Sequence, residues 1–284
     1  MINETIKKQN PDIIHFLTGD FALASYIRHQ KSSKICYTVH DMEPHEVENL
    51  SFLSPIKRKV INGGYKTCRN AAPNLTTSSK KQFELLRKMY PHKNVAYTNF
   101  PSLVTDFIEI GNKCPSEIKN EYSYILFFGN VVEYKGVDNL IAAFESIESS
   151  VSTKLVIAGG GATYPTTSKN VIRINRFIDD SEVKSLFERA KLIVYPYKSA
   201  TMSGVLSLAF FFKKNILLSD VPFFKENAST STTFFKAGDI SDLKEKLLHC
   251  LNNNDTIADN AYESTYSINS MVDSYAKFYE EING

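Results

Sequence analysis

Short apolar runs alternate with stretches of helical periodicity along almost the whole chain. The runs fall at residues 13–17, 34–40, 75–79, 95–100, 123–129, 154–160, 171–177, 192–197 and 215–220. Their length and their β-branched and aromatic content predict strands. Between most of them, apolar positions spaced for one helix face predict helices, among them 80–90, 136–149, 181–190, 203–213, 239–252 and 269–282. Such alternation gives parallel sheets with helices on both faces. No short-period internal repeat interrupts it.

The expected fold class is therefore α/β: two Rossmann-like domains facing each other across a cleft, the first of them short. The polar, proline-containing stretch GNKCPSEIKNEY, residues 111–122, marks the boundary. The expected division is 1–118, then 119–268, then a helix at 269–284. A doubly wound domain normally opens on a buried strand whose following loop approaches the ligand. This chain opens instead on the polar helix NETIKKQN, then Pro11-Asp12 and a strand. Its small first sheet has an edge to cover. The protein's own helices can do that, or a partner can, or the encoded start lies downstream of the ancestral one.

Composition narrows the setting. The 284 residues suffice for two ordinary domains or one large one. The N-terminus MINETIKKQN does not resemble a signal peptide, and no apolar run approaches the roughly 18 residues of a membrane span. Cys36, Cys68, Cys114 and Cys250 are scattered without metal-type pairing, which fits a reducing cytoplasm. The net charge of +2 is uneven, about +6 over residues 1–119 and about −4 beyond. Lys57, Arg58, Lys59, Lys66 and Arg69 lie on one predicted helix. They read either as a solvated face or as a patch for an anionic membrane surface. No aromatic-and-basic motif points to nucleic acid.

Four stretches carry candidate chemistry. In FFGNVVEYKGVDNLIAAFE, Phe127 to Glu145, Gly129 lets the backbone turn after a strand, Lys135 offers a point charge, and Gly136 and Val137 begin a helix whose free N–H groups suit an anion. A plain strand–turn–helix with a solvated lysine has the same pattern. In AGGGATY, Ala158 to Tyr164, consecutive glycines permit close approach of a ligand, although glycine turns after strands are common. In PYKSATMSGVLSLAFFF, Pro196 to Phe212, Ser203 or Thr201 can cap a helix whose first N–H groups, at Gly204 and Val205, suit a phosphate. Leu206, Leu208 and the phenylalanines there read as core. In TVHDMEPHE, Thr38 to Glu46, His40, Asp41 and His45 cluster after a strand. Their spacing fits no standard metal pattern, so they read as a polar cluster lining a substrate cleft.

Together these residues resemble the retaining glycosyltransferases of the GT-B fold, family 4. FFGNVVEYKGVDNLIAAFE looks like that family's FxGRxxxxKGxxxLIxAF segment, and KLVIAGGG like its next strand and glycine turn. RFIDDSEVKSLFERAKLIVYPY resembles its nucleobase loop, helix and strand, and SATMSGVLSLAFFFKKNILLSDVPFFKE its donor-binding helix and next strand. PDIIHF, YTVHDMEPH and LTTSSKKQFELL match in the first half, so the likeness runs from about residue 10 to 280.

The resemblance implies transfer of a sugar from a nucleoside-diphosphate sugar to a glycan or lipid-linked acceptor, with no cofactor and no obligatory metal. The setting it implies is bacterial surface polysaccharide synthesis, on the inner face of the cytoplasmic membrane. Lys135 would contact the diphosphate, with Gly129 and Asn130 in the same turn. Gly160 and Gly161 would shape the cleft floor, Arg176 and Phe177 border the nucleobase, and Ser203, Gly204 and Val205 offer backbone donors. His40 would stand near the reacting sugar, with Asp41 and His45 on the acceptor side. The final helix would cross back to the first domain. The chain departs from the pattern in three ways. Asn130 stands where the family has an arginine. Thr201 and Ala209 stand where it has a pair of glutamates. The usual first strand and its glycine loop are missing. These departures leave room for a non-catalytic module of the same fold, or for one half of a two-part enzyme completed by a protein partner.

Overall fold

A computed structural model describes residues 2–30, 34–42, 54–200, 203–253 and 261–284. The chain divides into two compact units: residues 1–100 with 269–284, and residues 101–268.

The first unit begins with α1 (Ile2–Gln9), β1 (Ile14–Phe16), α2 (Phe21–Gln30) and β2 (Ile35–Thr38). It continues with α3 (Ser54–Ala71), β3 (Asn74–Thr77), α4 (Lys80–Met89) and β4 (Asn94–Tyr97). The four strands form a parallel sheet in sequence order, β1-β2-β3-β4. Ile35, Leu75 and Leu86 are fully buried in its core. Strand β3 is mostly polar yet buried, and its groups are paired. Asn74 Nδ2 donates to the Ile35 carbonyl at 2.9 Å, and the Thr76 and Thr38 hydroxyls meet at 2.9 Å. A buried polar strand survives only when such bonds replace water.

The second unit opens with α5 (Asp106–Glu109), β5 (Tyr124–Phe128), α6 (Val137–Glu145), β6 (Leu155–Ala158) and β7 (Val171–Ile174). Then come α7 (Asp180–Arg189), β8 (Ala190–Tyr195), α8 (Val205–Phe211), β9 (Asn215–Ser219), α9 (Pro222–Asn227), β10 (Thr233–Phe235) and α10 (Ile240–Asn252). Six strands form a parallel sheet in the order β10-β9-β8-β5-β6-β7. Strand β5 lies inside it, and Ile125, Leu126 and Phe127 are fully buried. A strand covered on both faces reads as a continuous apolar run, as YILFF does.

The unit boundary falls at Pro101, earlier than the polar stretch before residue 119 suggests. Val104, Ile108 and Ile118 join the second core. The Leu103 N–H donates to Ser207 Oγ at 3.0 Å, and the Lys113 N–H to the Ser181 carbonyl at 3.0 Å. The segment is a polar strap pinned by a few apolar side chains, so its average composition misplaces the boundary.

The last helix, α11 (Ile268–Asn283), packs in the first unit. Phe278 is buried there, and the Asn99 N–H donates to Ser274 Oγ at 3.1 Å. Helix α2, helix α9 and strand β10 carry too little periodicity to stand out in the sequence. Among the described residues, no helix is long and apolar enough to cross a membrane.

Candidate functional site

The second unit's motifs gather at the C-terminal ends of neighbouring strands. Strand β5 ends at Phe128, and Gly129 follows with φ +126°. After β6, Gly159 has φ +142°, and a Cβ on it would stand 2.2 Å from the Gly129 carbonyl oxygen. A Cβ on Gly161 would stand 2.2 Å from the Val131 carbonyl oxygen. The two loops are laced by backbone bonds, Val131 N–H to Gly160 at 2.8 Å and Ala162 N–H to Val131 at 2.8 Å. A third loop touches them, since the Arg176 backbone lies 3.6 Å from where a Gly160 Cβ would be. The glycines after β5 and β6 therefore serve first to let two backbones approach.

Lys135 ends a single 3₁₀ turn, Glu133–Lys135, and Gly136 then takes the left-handed conformation at φ +65° before α6. A Cβ on Gly136 would lie 2.1 Å from the Pro196 carbonyl oxygen, so that position admits only glycine. The Lys198 N–H donates to the Tyr134 carbonyl at 2.7 Å. The lysine turn is thus fixed against the segment that follows β8.

The Lys135 ammonium comes back over Gly129, with Nζ 3.2 Å from where a Cβ there would be. Val205 Cγ1 is 3.7 Å from the same point, so α8 meets this turn. Nζ also lies 5.4 Å from the centroid of the Tyr197 ring. Burial alone pushes the Lys135 pKa down to about 8. No carboxylate among the described residues offsets it. A half-buried cation without an anion is a place for an anionic ligand.

Helix α8 begins differently from the sequence expectation. Gly204, not Ser203, is its N-cap, and no side chain caps it. The Gly204 carbonyl instead accepts the Ser207 hydroxyl at 2.6 Å. Ala209 is fully buried in this helix. Asn130 is exposed, whereas Thr201 lies outside the described residues.

Arg176 and Phe177 stand together after β7 but are differently engaged. The Arg176 guanidinium makes a two-pronged contact with Glu182, at 2.7 and 2.8 Å, and a looser one with Glu117 at 3.6 Å. Glu182 also closes the capping box of α7 with Asp179. Arg176 is therefore already committed to holding the start of α7. Phe177 is 83% exposed and free to meet a flat apolar partner.

In the first unit, His40 and Asp41 follow β2, and His45 lies outside the described residues. His40 is exposed, and its Nε2 is 2.8 Å from the Leu17 carbonyl. A carbonyl only accepts, so Nε2 carries the proton of this bond. Gln82 Nε2 holds the His40 carbonyl at 2.9 Å. Asp41 Oδ1 is buried without a hydrogen-bond partner among the described residues. The basic helix is less uniform than its sequence suggests. Lys59 and Lys66 are exposed, but Arg69 is buried and donates to the Tyr90 hydroxyl at 3.2 Å. The side chains of Lys57 and Arg58 lie outside the described residues.

Sequence reasoning missed Tyr134 and Tyr197, the aromatic neighbours of the Lys135 turn. Nothing in the pattern of LIVYPY separates a core tyrosine from one facing a lysine 62 positions earlier.

The family model for group 1 glycosyl transferases matches residues 112–266. The chain belongs to that family. The match covers the whole lysine turn, the glycine loop and α8. A comparison with curated proteins gives no match. Among solved structures, sucrose-phosphate synthase from Thermosynechococcus elongatus superposes with a TM-score of 0.70 at 12% identity, over 99% of this chain and 76% of that one. A glycosyltransferase from Rickettsia africae gives 0.70 at 16%, over 99% and 79%. WaaG, a glycosyltransferase involved in lipopolysaccharide biosynthesis, gives 0.66 at 17%, over 100% and 81%. Anabaena HepE, solved with UDP and glucose, gives 0.61 at 14%, over 87% and 71%. At these identities the likeness establishes the fold, which is GT-B.

Proposed function

We propose that this chain transfers a sugar from a nucleoside-diphosphate sugar to a glycan or lipid-linked acceptor, with retention at the anomeric carbon, as in family 4. The observation that carries the reading is Lys135, a half-buried ammonium without a carboxylate among the described residues, set over Gly129 at the strand ends. In the transition state the departing diphosphate gains negative charge. Lys135 and the uncapped first turn of α8 would stabilise it electrostatically. Asn130, Gly160 and Gly161 would line the same loops, with Phe177 beside the base and Ser203, Gly204 and Val205 beside the phosphates. In the first unit, His40 would act near the reacting sugar, with Asp41 and His45 toward the acceptor. Thr201 would belong with Ser203 on the donor side.

The test is calorimetric titration with UDP, GDP, dTDP and their sugar conjugates. One nucleotide is expected to bind, and Lys135→Ala to abolish that binding without lowering the melting temperature. Unchanged binding in the variant would overturn the assignment. The anomeric configuration of the product, read by proton coupling constants, decides retention.

The proposed setting is surface polysaccharide synthesis at the inner face of the cytoplasmic membrane. In the first unit, Leu17, Phe21, Val60 and Ile61 are large apolar side chains left exposed, and Lys59 and Lys66 share α3 with two of them. Apolar and cationic groups on one unit suit an anionic bilayer. Co-flotation with anionic vesicles at low salt checks this.

A second reading, a non-catalytic module or a half-enzyme, is favoured by Ala209. It is fully buried where the family has a carboxylate, so no acid group reaches the donor from that position. The outer edge of β1 also lacks a neighbouring strand among the described residues, which is where a protein partner would add one. Nucleotide binding without sugar transfer or donor hydrolysis would support this reading.

A further inference from the structure

The family motif supplies Lys135 but says nothing of what aims it. Lysine carries a flexible four-carbon stem, and a cation that must be ordered at the moment of binding loses affinity. Here the turn is already fixed at both ends by Gly136 against Pro196 and by the Lys198 N–H on the Tyr134 carbonyl. Only the side chain remains to be placed.

We propose that Tyr197 is a positioning residue for Lys135: its ring face seats the ammonium above Gly129, ready to meet a diphosphate. Tyr197 is 1% exposed. Its ring is held edge-to-face against Tyr134 at 6.0 Å and against Tyr195 at 5.9 Å, and it packs on Phe224 at 5.0 Å. A ring held from three sides cannot follow the lysine, so the lysine conforms to the ring. The ring's negative face attracts the cation without neutralising it, as a carboxylate would. The full charge is then left for the ligand. The hydroxyl of Tyr197 has no hydrogen-bond partner within bonding distance among the described residues, although Ser203 offsets part of the effect of burial on it. The ring, rather than the hydroxyl, therefore makes the contact with Lys135.

This inference rests on the reading of Lys135 as a diphosphate contact, and the test separates the two. Wild type, Lys135→Ala, Tyr197→Phe and Tyr197→Leu are titrated with inorganic pyrophosphate and with UDP, GDP and dTDP between pH 6 and 10, with thermal melts as a folding control. Tyr197→Phe keeps the ring and is expected to bind within about twofold of wild type, whereas Tyr197→Leu binds roughly tenfold more weakly. Leucine also opens the ammonium to water, so the pH at which binding falls is expected to move upward. A merely structural role would leave that midpoint in place. If the leucine variant does not fold, Tyr197→Met fills the volume without an aromatic face. Loss of binding in Lys135→Ala with wild-type affinity and midpoint in Tyr197→Leu would overturn the positioning role alone. Equal losses in the phenylalanine and leucine variants would also overturn it. No binding of any probe by wild type would overturn both readings.

Discussion

The His15 imidazole on β1 and the Tyr279 hydroxyl on α11 meet at 2.7 Å, 264 positions apart in the chain. The other ring nitrogen, Nε2, lies 2.8 Å from the Thr38 hydroxyl. His15 thus links the terminal helix to β2 through a neutral ring, because burial first, and the neighbouring His40 second, pull its pKa down to about 4. The unfolded chain takes up this proton near pH 6.5, before the folded chain does. Stability from this group is therefore complete above pH 6.5 and declines as pH falls toward 4. Urea melts of wild type and His15→Phe between pH 4.5 and 8 check this. The gap between the two proteins should narrow on acidification, and a constant gap would count against it. Tyr279→Phe is expected to cost about 1 kcal/mol.

Glycine substitutions should divide by what surrounds them. Gly159 and Gly238 both have positive φ, +142° and +81°. A Cβ on Gly159 would strike the Gly129 carbonyl, but one on Gly238 would meet nothing within 4 Å. Gly238→Ala then carries only the conformational cost, about 1 kcal/mol, whereas Gly159→Ala must also push two loops apart and should cost more than about 2 kcal/mol. Thermal melts of the two variants would rank them.

Diphosphate affinity should follow the Lys135 proton. The free ammonium titrates near pH 8, and a bound anion holds the proton on it. Below pH 8 this group leaves affinity flat. Above it, binding takes up a proton, and affinity falls by up to about tenfold per pH unit. Pyrophosphate titrations at pH 7, 8, 9 and 9.5 read this slope. Its absence would place the phosphates elsewhere.

Phe177 separates base recognition from phosphate recognition. At 83% exposed, it contributes little to folding, and Phe177→Ala should change stability by less than about 0.5 kcal/mol. If the ring borders the nucleobase, the same variant weakens UDP or GDP binding but leaves pyrophosphate binding unchanged. Equal effects on both ligands would remove Phe177 from the base site.

Lys93 closes the C-terminal end of α3. Its Nζ donates to the carbonyls of Arg69, Asn70 and Ala72 at 2.8, 2.7 and 2.6 Å. Lys93→Met would strand these acceptors and is expected to cost about 1–3 kcal/mol, measured by urea unfolding.

Much of the fold was legible because strands and helices record their own burial. The run YILFF announces a strand covered on both faces, and the helical pattern over 239–252 announces α10, which Asp239 caps. The polar strand NLTT was legible only by its β-branched content, and its burial depends on partners from β2. At the candidate site, the glycines and the lysine stood out because left-handed turns and strand ends demand particular residues. Tyr197 did not, because tyrosine in a strand end is ordinary.

The sequence by itself determined the alternation of strands and helices and the glycine turns that follow the strands. It also carried the family motif around Lys135. Each of these depends on a residue and its near neighbours in the chain, where periodicity and backbone sterics act. The tertiary structure decided which charges were spoken for and which were left open. It turned Arg176 onto Glu182, buried Arg69 against Tyr90, and moved residues 101–118 into the second unit. It also placed Lys135 beside an aromatic face, with no carboxylate against it among the described residues. Such pairings are contacts through space between distant residues, and local pattern carries no record of them.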